Sequence, residues 1–174
     1  MQVSLIVNIV GPDRPGLIEQ LSSAVTASEG NWEDSRMIRL AGHFAGMVQV
    51  VILERDLPEL EANLAKLEED GLKVTTVNAG ASDDSGETEG TPFILEVMGQ
   101  DRTGIVSEIS KTLAAAGANV VELATDCSAA PWSGERLFKT TATVIAPDHV
   151  APEQLQEQIE AIANDLMVEI QTEV

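Results

Sequence analysis

Basic residues and cysteine are both scarce in this sequence. Ten Lys and Arg residues stand against 29 Asp and Glu in 174 residues, so the formal net charge is −19. Nucleic-acid phosphates and anionic membrane surfaces bind positively charged protein surfaces, so the sequence predicts no direct contact with either. A single cysteine, Cys127, excludes an internal disulfide and is typical of a reducing compartment.

Long apolar runs are also absent. No stretch approaches the roughly 18 apolar residues of a membrane-spanning helix, and the sequence does not open with the basic and apolar regions of a secretion signal. A hydrophobic fraction of 44% nevertheless excludes general disorder. We therefore expect a folded, soluble protein of the cytoplasm.

The residues needed for common catalytic chemistry are few. The two histidines, His43 and His149, lie in unrelated segments, and no group of His and Cys has metal-ligand spacing. No nucleophile-elbow or kinase motif is present. Cys127 has no histidine near it in the sequence, which favours a half-buried strand thiol over a nucleophile. We expect no enzyme activity, no bound metal and no cofactor.

The sequence repeats itself with an offset of 88 residues. Residues 11–18 read Gly-Pro-Asp-Arg-Pro-Gly-Leu-Ile, and residues 99–106 read Gly-Gln-Asp-Arg-Thr-Gly-Ile-Val. After each motif apolar residues recur at every fourth position, as on one face of a helix, and before it they alternate, as in a strand. Further along the offset grows to 93, which predicts about five extra residues in the second copy around residues 129–134. An internal duplication explains these matches.

Each copy shows the same order of predicted elements. In the first copy these are a strand at 3–10, a helix at 15–28, strands at 31–40 and 46–53, a helix from Pro58 and a strand at 72–77. In the second copy Leu155, Ile159 and Ile162 form the stripe of the second helix, and 167–172 is the last strand. The pattern predicts an α+β fold of two ferredoxin-like βαββαβ domains, each with its helices on one sheet face.

The domain boundaries follow from composition. Residues 81–91 are mostly small, polar and acidic and have no apolar periodicity, as in a linker. We therefore predict one domain at 1–80, an acidic linker at 81–91 and a second domain at 92–174. The sheet face without helices needs cover, which a second copy or a second chain would supply.

The glycine turn after the first strand has three interpretations. A Walker A loop has the same glycine spacing but then needs Lys and Ser or Thr, and Leu17-Ile18 stand there instead. A plain strand-to-helix turn would use glycine for a positive φ, Asp13 for a turn hydrogen bond and Pro15 to begin the helix. An anion site would use the first N–H groups of the helix, which have no partner within it.

Both copies also carry groups that suit the two ends of a zwitterion. The shared polar positions are Asp13 and Asp101 in the turn, Arg14 and Arg102 beside them, and Asn31 and Asn119 at the start of the next strand. The helix N–H groups would hold a carboxylate, the aspartate an ammonium, and the asparagine amide both donates and accepts. Asparagine is also an ordinary strand-entry residue. A carboxylate ligand or, more simply, a surface ion pair would explain each arginine at a helix start, where the dipole disfavours cations.

The duplicated pattern, with Asp-Arg-Pro-Gly-Leu at 13–17, resembles tandem ACT domains, small regulatory modules that commonly bind amino acids. Asn-Trp-Glu-Asp-Ser-Arg at 31–36, Asn-Val-Val-Glu-Leu at 119–123 and the long loop before residue 137 are similar to glycine cleavage system transcriptional repressors. The resemblance covers the chain outside the linker.

The resemblance implies a ligand that lies at an interface between modules and contacts the glycine turn and the following strand. The ligand-binding residues that the resemblance implies are Asp13, Gly16, Leu17 and Asn31 in the first copy, and Asp101, Gly104, Ile105 and Asn119 in the second. We add Gly11, Arg14 and Arg102 of the two turns to the predicted ligand-binding residues. It further implies a regulator that senses glycine or another small amino acid and contacts a DNA-binding activator, as a homodimer or through pairing within the chain. Thr103 and Val120 replace Pro15 and Trp32 in the second copy, which allows it a different ligand or none.

Two other functions stay open from the sequence alone. The chain could be a regulatory subunit of an amino-acid metabolic enzyme, since ACT modules often accompany such enzymes. It could also be a structural pairing module without a ligand. Failure to bind any amino acid would favour this last alternative.

Overall fold

A computed structural model describes residues 1–80, 90–130, 134–162 and 166–172. The chain divides into two compact units, Met1–Gly86 and Glu87–Val174. Residues 81–89 of the predicted linker, and Pro131, Trp132 and Ser133 of the predicted insertion, lie outside the described residues.

Both units follow the predicted βαββαβ order. The first has β1 (Gln2–Pro12), α1 (Leu17–Ala27), β2 (Asn31–Leu40), β3 (His43–Leu53), α2 (Leu57–Glu69) and β4 (Lys73–Gly80). The second has β5 (Thr91–Gln100), α3 (Ile105–Ala115), β6 (Asn119–Ala129), β7 (Arg136–Ala146), α4 (Pro152–Glu160) and β8 (Met167–Thr172). The predicted fold class, two ferredoxin-like α+β domains, is therefore confirmed.

Each unit has a four-stranded antiparallel sheet. The strand order is β2-β3-β1-β4 in the first unit and β6-β7-β5-β8 in the second. The first strand lies inside the sheet, and β2 and β4 form the edges. Consequently the glycine turn, which follows β1, emerges at the end of the sheet where the β2–β3 hairpin turns.

The strand register corrects the predicted size of the insertion. Pro12 pairs with His43 in the first sheet, and Gln100 pairs with Leu137 in the second. Pro12 and Gln100 are 88 positions apart in the sequence, whereas their partners His43 and Leu137 are 94 positions apart. The second copy therefore carries six extra residues rather than about five. The sequence alignment of β3 with β7 was wrong by one position, because both strands contain runs of similar β-branched residues. The alternation of buried and exposed side chains determines the register in the structure.

The apolar side chains pack between each sheet and its two helices. The first core includes Leu5, Val7 and Ile9 of β1, Val48, Val50 and Ile52 of β3, and Leu21, Leu60 and Leu64 of the helices. The second includes Phe93, Leu95 and Val97 of β5, Val144 of β7, and Ile109, Leu113, Leu155 and Ile159 of the helices. Period-two burial in the strands and three-to-four-residue spacing in the helices produce these two cores.

The helix ends depart from the sequence prediction, most clearly at the start of α1 and at the end of α4. By one residue each, α1 also ends earlier, at Ala27, and α2 begins earlier, at Leu57. α1 begins at Leu17, two residues after Pro15, because Gly16 adopts φ 91° and takes the N-cap position. α4 ends at Glu160, so Ile162 lies beyond the helix, although it still packs partly buried against the second core. The longest described helix, α2, has 13 residues, and no helix in the described ranges is long and apolar enough to cross a membrane.

Candidate functional site

The turns before α1 and α3 share one backbone geometry. Gly16 and Gly104 have φ 91° and 92°, in the left-handed region that glycine enters without a steric penalty. Both glycines hold the N-cap position, and no side chain caps either helix. The first N–H groups of each helix therefore lack a side-chain acceptor at the end where the helix dipole favours an anion.

An ion pair holds the aspartate of each turn against the neighbouring hairpin. Oδ2 of Asp13 lies 2.6 Å from Nε of Arg39, and Oδ2 of Asp101 lies 3.0 Å from Nε of Arg136. The backbone N–H of Asp13 also donates to the carbonyl of Gly42 at 3.0 Å. The carboxylate thus pairs with the hairpin and does not cap the helix that follows it.

The hairpin of the second unit also contains the cysteine. Cys127 lies in β6 as a strand residue, but it is exposed rather than half-buried as predicted, because β6 is an edge strand. A hydrogen bond to Asp101, with a smaller contribution from Cys127, raises the pKa of Arg136 above its ordinary value. The thiol therefore belongs to the surroundings of the second turn.

The arginine of each turn reaches along the first turns of its helix. Nη2 of Arg14 donates to Oε1 of Gln20 at 2.9 Å and lies 3.7 Å from Oδ2 of Asp70. At the equivalent positions, Nη1 of Arg102 lies 3.0 Å from Oε1 of Glu108 in a two-pronged ion pair. The hydrogen bond from Arg102 lowers the pKa of Glu108 below its ordinary value. The simpler sequence interpretation, a surface ion pair, agrees with these contacts.

A solvent-open depression of about 370 Å³ lies at the start of α1. It is lined by Asp13, Arg14, Gly16, Leu17, Ile18, Glu19 and Phe44. Four of the six predicted site residues of the first copy therefore share one surface. Sequence reasoning missed Phe44, which reaches the depression because the strand register places β3 beside the end of β1.

Two kinds of predicted site residue serve packing. Gly11 is buried, and a Cβ there would lie 2.8 Å from Cδ2 of Leu72 and 3.0 Å from the carbonyl oxygen of Gly71. Leu17 and Ile105 are each 3% exposed and anchor the first residue of α1 and α3 in the cores. Of these residues, only Leu17 lines the depression as well.

The asparagines lie at the other end of each sheet. Asn31 is level with Val51 of β3, whereas the glycine turn is level with His43. Eight strand residues at about 3.3 Å each separate the two levels by roughly 26 Å. Asn119 has the equivalent place in the second sheet. No single copy therefore brings its asparagine to its own turn.

An apolar pocket of about 100 Å³, which we call the α3 pocket, lies in the second unit. Its lining includes Val106, Ile109 and Leu113 of α3, Val120 and Leu123 of β6, and Phe138 of β7. Sequence reasoning did not predict this pocket, although the replacement of Trp32 by Val120 was a visible signal. Within the described ranges, no cluster of three or more His, Cys, Asp or Glu residues could hold a metal ion.

Comparisons with known proteins agree with this architecture. Sequence models of the ACT domain match residues 4–76 and 93–164. The structure is similar to that of an unknown protein from Galdieria sulphuraria, with a TM-score of 0.83 and 28% identity over 100% of both chains. It also shares its fold with a protein assigned as a glycine cleavage system transcriptional repressor, with a TM-score of 0.72 and 17% identity over 99% of both chains. No curated protein matches the sequence significantly. The two matched segments together cover most of the chain, which therefore belongs to the ACT-domain family and carries two ACT domains in tandem.

Proposed function

We propose that this protein is a regulatory amino-acid sensor without enzyme activity of its own. In this proposal a small amino acid, glycine, binds at the turn before α1 and changes the contact of the protein with a DNA-binding activator. The observation that carries the proposal is the depression of about 370 Å³, where an uncapped helix N-terminus and the Asp13 carboxylate share one open surface. Membership of the ACT family supports the sensing role.

The depression offers complementary charge to both ends of a free amino acid. The N–H groups at the start of α1 would donate to the α-carboxylate, as helix N-termini do for other anions. Oδ1 of Asp13, which has no hydrogen bond within the described residues, would accept from the α-ammonium, while Oδ2 stays paired with Arg39. Hydrogen bonds between charged groups are the stronger kind, so these two contacts would supply much of the affinity.

Glycine is our choice of ligand for two reasons. The proposed contacts use only the α-carboxylate and the α-ammonium, which every amino acid has, so they require no ligand side chain. The fold is also shared with a protein assigned as a glycine cleavage system transcriptional repressor. The proposed partner, a DNA-binding activator, has the same basis, and the net charge of −19 disfavours direct action on DNA.

The asparagine can join this site only from another module, because within one copy it lies roughly 26 Å from the turn. β2 is an edge strand whose Ile38 and Leu40 are 58% and 69% exposed. Two edge strands that paired antiparallel would place the start of one beside the end of the other. We therefore propose that a second module, through pairing within the chain or in a homodimer, brings its asparagine to the turn.

A thermal-shift screen of the purified full chain against the twenty amino acids tests the proposed function. A ligand that binds only the native state raises its stability by about 2.7 kcal/mol at one hundred times its dissociation constant. We expect glycine to raise the melting temperature and calorimetry to give a saturable isotherm. Glycine should also change the amount of activator retained on immobilised protein. Absence of any stabilising amino acid would contradict the sensor and favour a pairing module.

A further inference from the structure

Each sheet has one face against its helices and one face without them, which we call the outer face. In the first unit the outer face carries large apolar side chains that alternate along the strands with buried core residues. Those between 41% and 69% exposed are Val10, Ile38, Leu40, Met47 and Val77. Val10 and Ile38 both pair with Ala45, so the apolar surface continues across three strands. Soluble monomers rarely expose large apolar patches, so this face has the character of an interaction surface.

The outer face of the second unit carries a pair of like charges. Glu96 of β5 lies directly opposite Glu169 of β8, and Met98 lies opposite Met167 beside them. Like charges at directly opposite positions destabilise a sheet. Nζ of Lys139 lies 3.9 Å from Oε2 of Glu96, but Glu169 forms no ion pair in the part of the chain that the structure describes. These five residues line a surface depression of about 150 Å³ that has an excess of negative charge.

The first copy shows that the fold does not require this pair of carboxylates. At the equivalent positions of the first sheet, Asn8 lies opposite Thr75 in place of the two glutamates. Val10 lies opposite Lys73 in place of the two methionines. Lys73 is exposed and forms no ion pair within the described ranges. Each outer face therefore has an exposed charge without a partner, positive in the first unit and negative in the second.

The total charges of the two outer faces are also complementary. Among the residues paired in the first sheet, the charged members of the outer face are Asp34, Arg36 and Lys73. In the second sheet they are Glu96, Glu122, Asp126, Lys139 and Glu169. Two cations and one anion give the first face a net charge of +1, and one cation and four anions give the second −3. Such surfaces favour association with each other over association with themselves.

The area of the two faces suits a stable dimer. Four strands about 4.8 Å apart, with about eight residues of 3.3 Å in each, give an outer face of roughly 500 Å². In a twofold-symmetric dimer the first face of each copy would meet the second face of the other, so four faces and roughly 2,000 Å² would be buried. Stable specific interfaces bury about 1,200–2,000 Å² in total, so this contact is large enough.

We propose that the outer face of the first unit binds the outer face of the second unit of another copy, in a twofold-symmetric dimer. Lys73 of one copy would lie beside Glu96 and Glu169 of the other, which relieves the repulsion between the two carboxylates. The apolar side chains of the two faces would interdigitate, as in other sheets that pack face to face about 10 Å apart. This contact uses neither the edge strands nor the glycine turns, so it goes beyond the proposed function and does not depend on glycine binding.

Sedimentation velocity of the full chain over a concentration series, at about 0.15 M salt, measures the dissociation constant of the dimer. We expect Lys73→Glu and Glu169→Lys each to raise this constant by more than about tenfold, because each reversal places like charges in both contacts of the dimer. An equimolar mixture of the two variants should recover the affinity of the unmodified protein. In the mixed dimer the two changed side chains face each other in one contact, and the native pair remains in the other.

Two charge reversals on the helices serve as matched controls. Lys66→Glu on α2 and Glu157→Lys on α4 make the same changes of charge away from the outer faces, and they should leave the dissociation constant unchanged. The double variant Glu96→Asn, Glu169→Thr introduces the residues of the first copy and should weaken the dimer while it keeps the circular dichroism of the folded protein. It replaces any charge reversal that does not fold.

The outcomes decide between possible occupants of the two faces. Recovery of affinity in the mixture, with both controls unchanged, would support a second copy of the chain. A chain that stays monomeric at all accessible concentrations would overturn the inference and assign the faces to the same chain or to a different protein. A dimer with the same affinity in both reversal variants would overturn it as well, since another surface would then join the copies. Loss of affinity without recovery on mixing would equally overturn it. Glycine affinity, measured on the same samples, tests the proposed function separately.

Discussion

Asp13 pairs with Arg39 across a distance of 2.6 Å, and the second copy forms the same kind of contact with an arginine at a different position. Arg39 lies in β2, where the equivalent residue of the second copy is Cys127. Asp101 instead pairs with Arg136, the first residue of β7. The two copies thus place a guanidinium beside the turn aspartate from opposite strands of the hairpin. The two copies therefore share the charge arrangement and not the position of the arginine.

We predict that Asp13→Ala weakens glycine binding about ten- to a hundredfold and hardly changes stability. The variant would remove the acceptor for the ligand ammonium, and a hydrogen bond between charged groups contributes roughly 1.5–3 kcal/mol. Its ion pair with Arg39 is exposed at the surface, and such pairs stabilise a protein by less than about 1 kcal/mol. Calorimetry and the melting temperature of the variant measure the two effects separately.

Two matched controls accompany this variant. Arg39→Ala removes the same ion pair but keeps the carboxylate, so it should leave glycine affinity unchanged or raise it, because a competing cation is gone. Asp101→Ala makes the same change in the second copy and should not alter binding at the first turn. Equal glycine affinity in Asp13→Ala and the unmodified protein would show that the turn motif does not bind the ligand.

The ion pair of Arg102 and Glu108 predicts an acid-dependent contribution to stability. The folded-state pKa of Glu108 lies below its ordinary value, 4.5, because the carboxylate accepts a hydrogen bond from Arg102. Its contribution is therefore fully present above the unfolded-state pKa and is lost as the pH falls through the folded-state pKa. When the pH is lowered from about 6 to about 3, we expect the free energy of unfolding to fall less in Glu108→Gln than in the unmodified protein.

The first copy provides the natural reference for this measurement, because Gln20 stands where the second copy has Glu108. Glu108→Gln would reproduce the neutral contact of Arg14 with Gln20, which spans 2.9 Å. Urea unfolding at a series of pH values compares the two proteins. Parallel stability curves throughout the acid range would mean that the ion pair contributes nothing that depends on pH.

The element order of the fold could be predicted because it depends on local patterns. The same elements are predicted by three patterns: alternating apolar residues in the strands, apolar residues at every fourth position in the helices, and the internal repeat. The helix boundaries were harder to predict, because Gly16 and not Pro15 determines where α1 begins. Proline fixes only its own φ, whereas the left-handed glycine reverses the chain just before the helix.

The candidate site could be predicted only in part, because its residues meet through the sheet register. Asp13 and Leu17 are close in sequence and share the depression, as expected. Phe44 reaches it from β3 through pairing that the sequence pattern does not specify. The α3 pocket depends on the relative sizes of residues from three elements, and size alone does not show which positions face one another.

We predict that the purified protein does not bind DNA specifically at about 0.15 M salt. Its 29 acidic residues outnumber the 10 basic ones, and the described arginines of both turns already form ion pairs or hydrogen bonds within their own units. Binding to phosphates requires a surface that can replace counterions. An electrophoretic shift of a promoter fragment by the protein alone, abolished by added salt, would contradict this prediction.

We predict that Gly16→Ala lowers the free energy of unfolding by about 1–2 kcal/mol, the usual penalty for an L-residue in the left-handed region. A Cβ at Gly16 would have no other atom within 4 Å, so the cost comes from the backbone conformation and not from a clash. Gly16→Asn should cost less than Gly16→Ala, because asparagine tolerates this region better. Gly11→Ala provides the opposite case, since its backbone φ is not positive but its Cβ would lie 2.8 Å from Leu72. Urea unfolding of the three variants measures these differences. Equal stability of the alanine and asparagine variants at position 16 would show that positive φ is not the reason for glycine there.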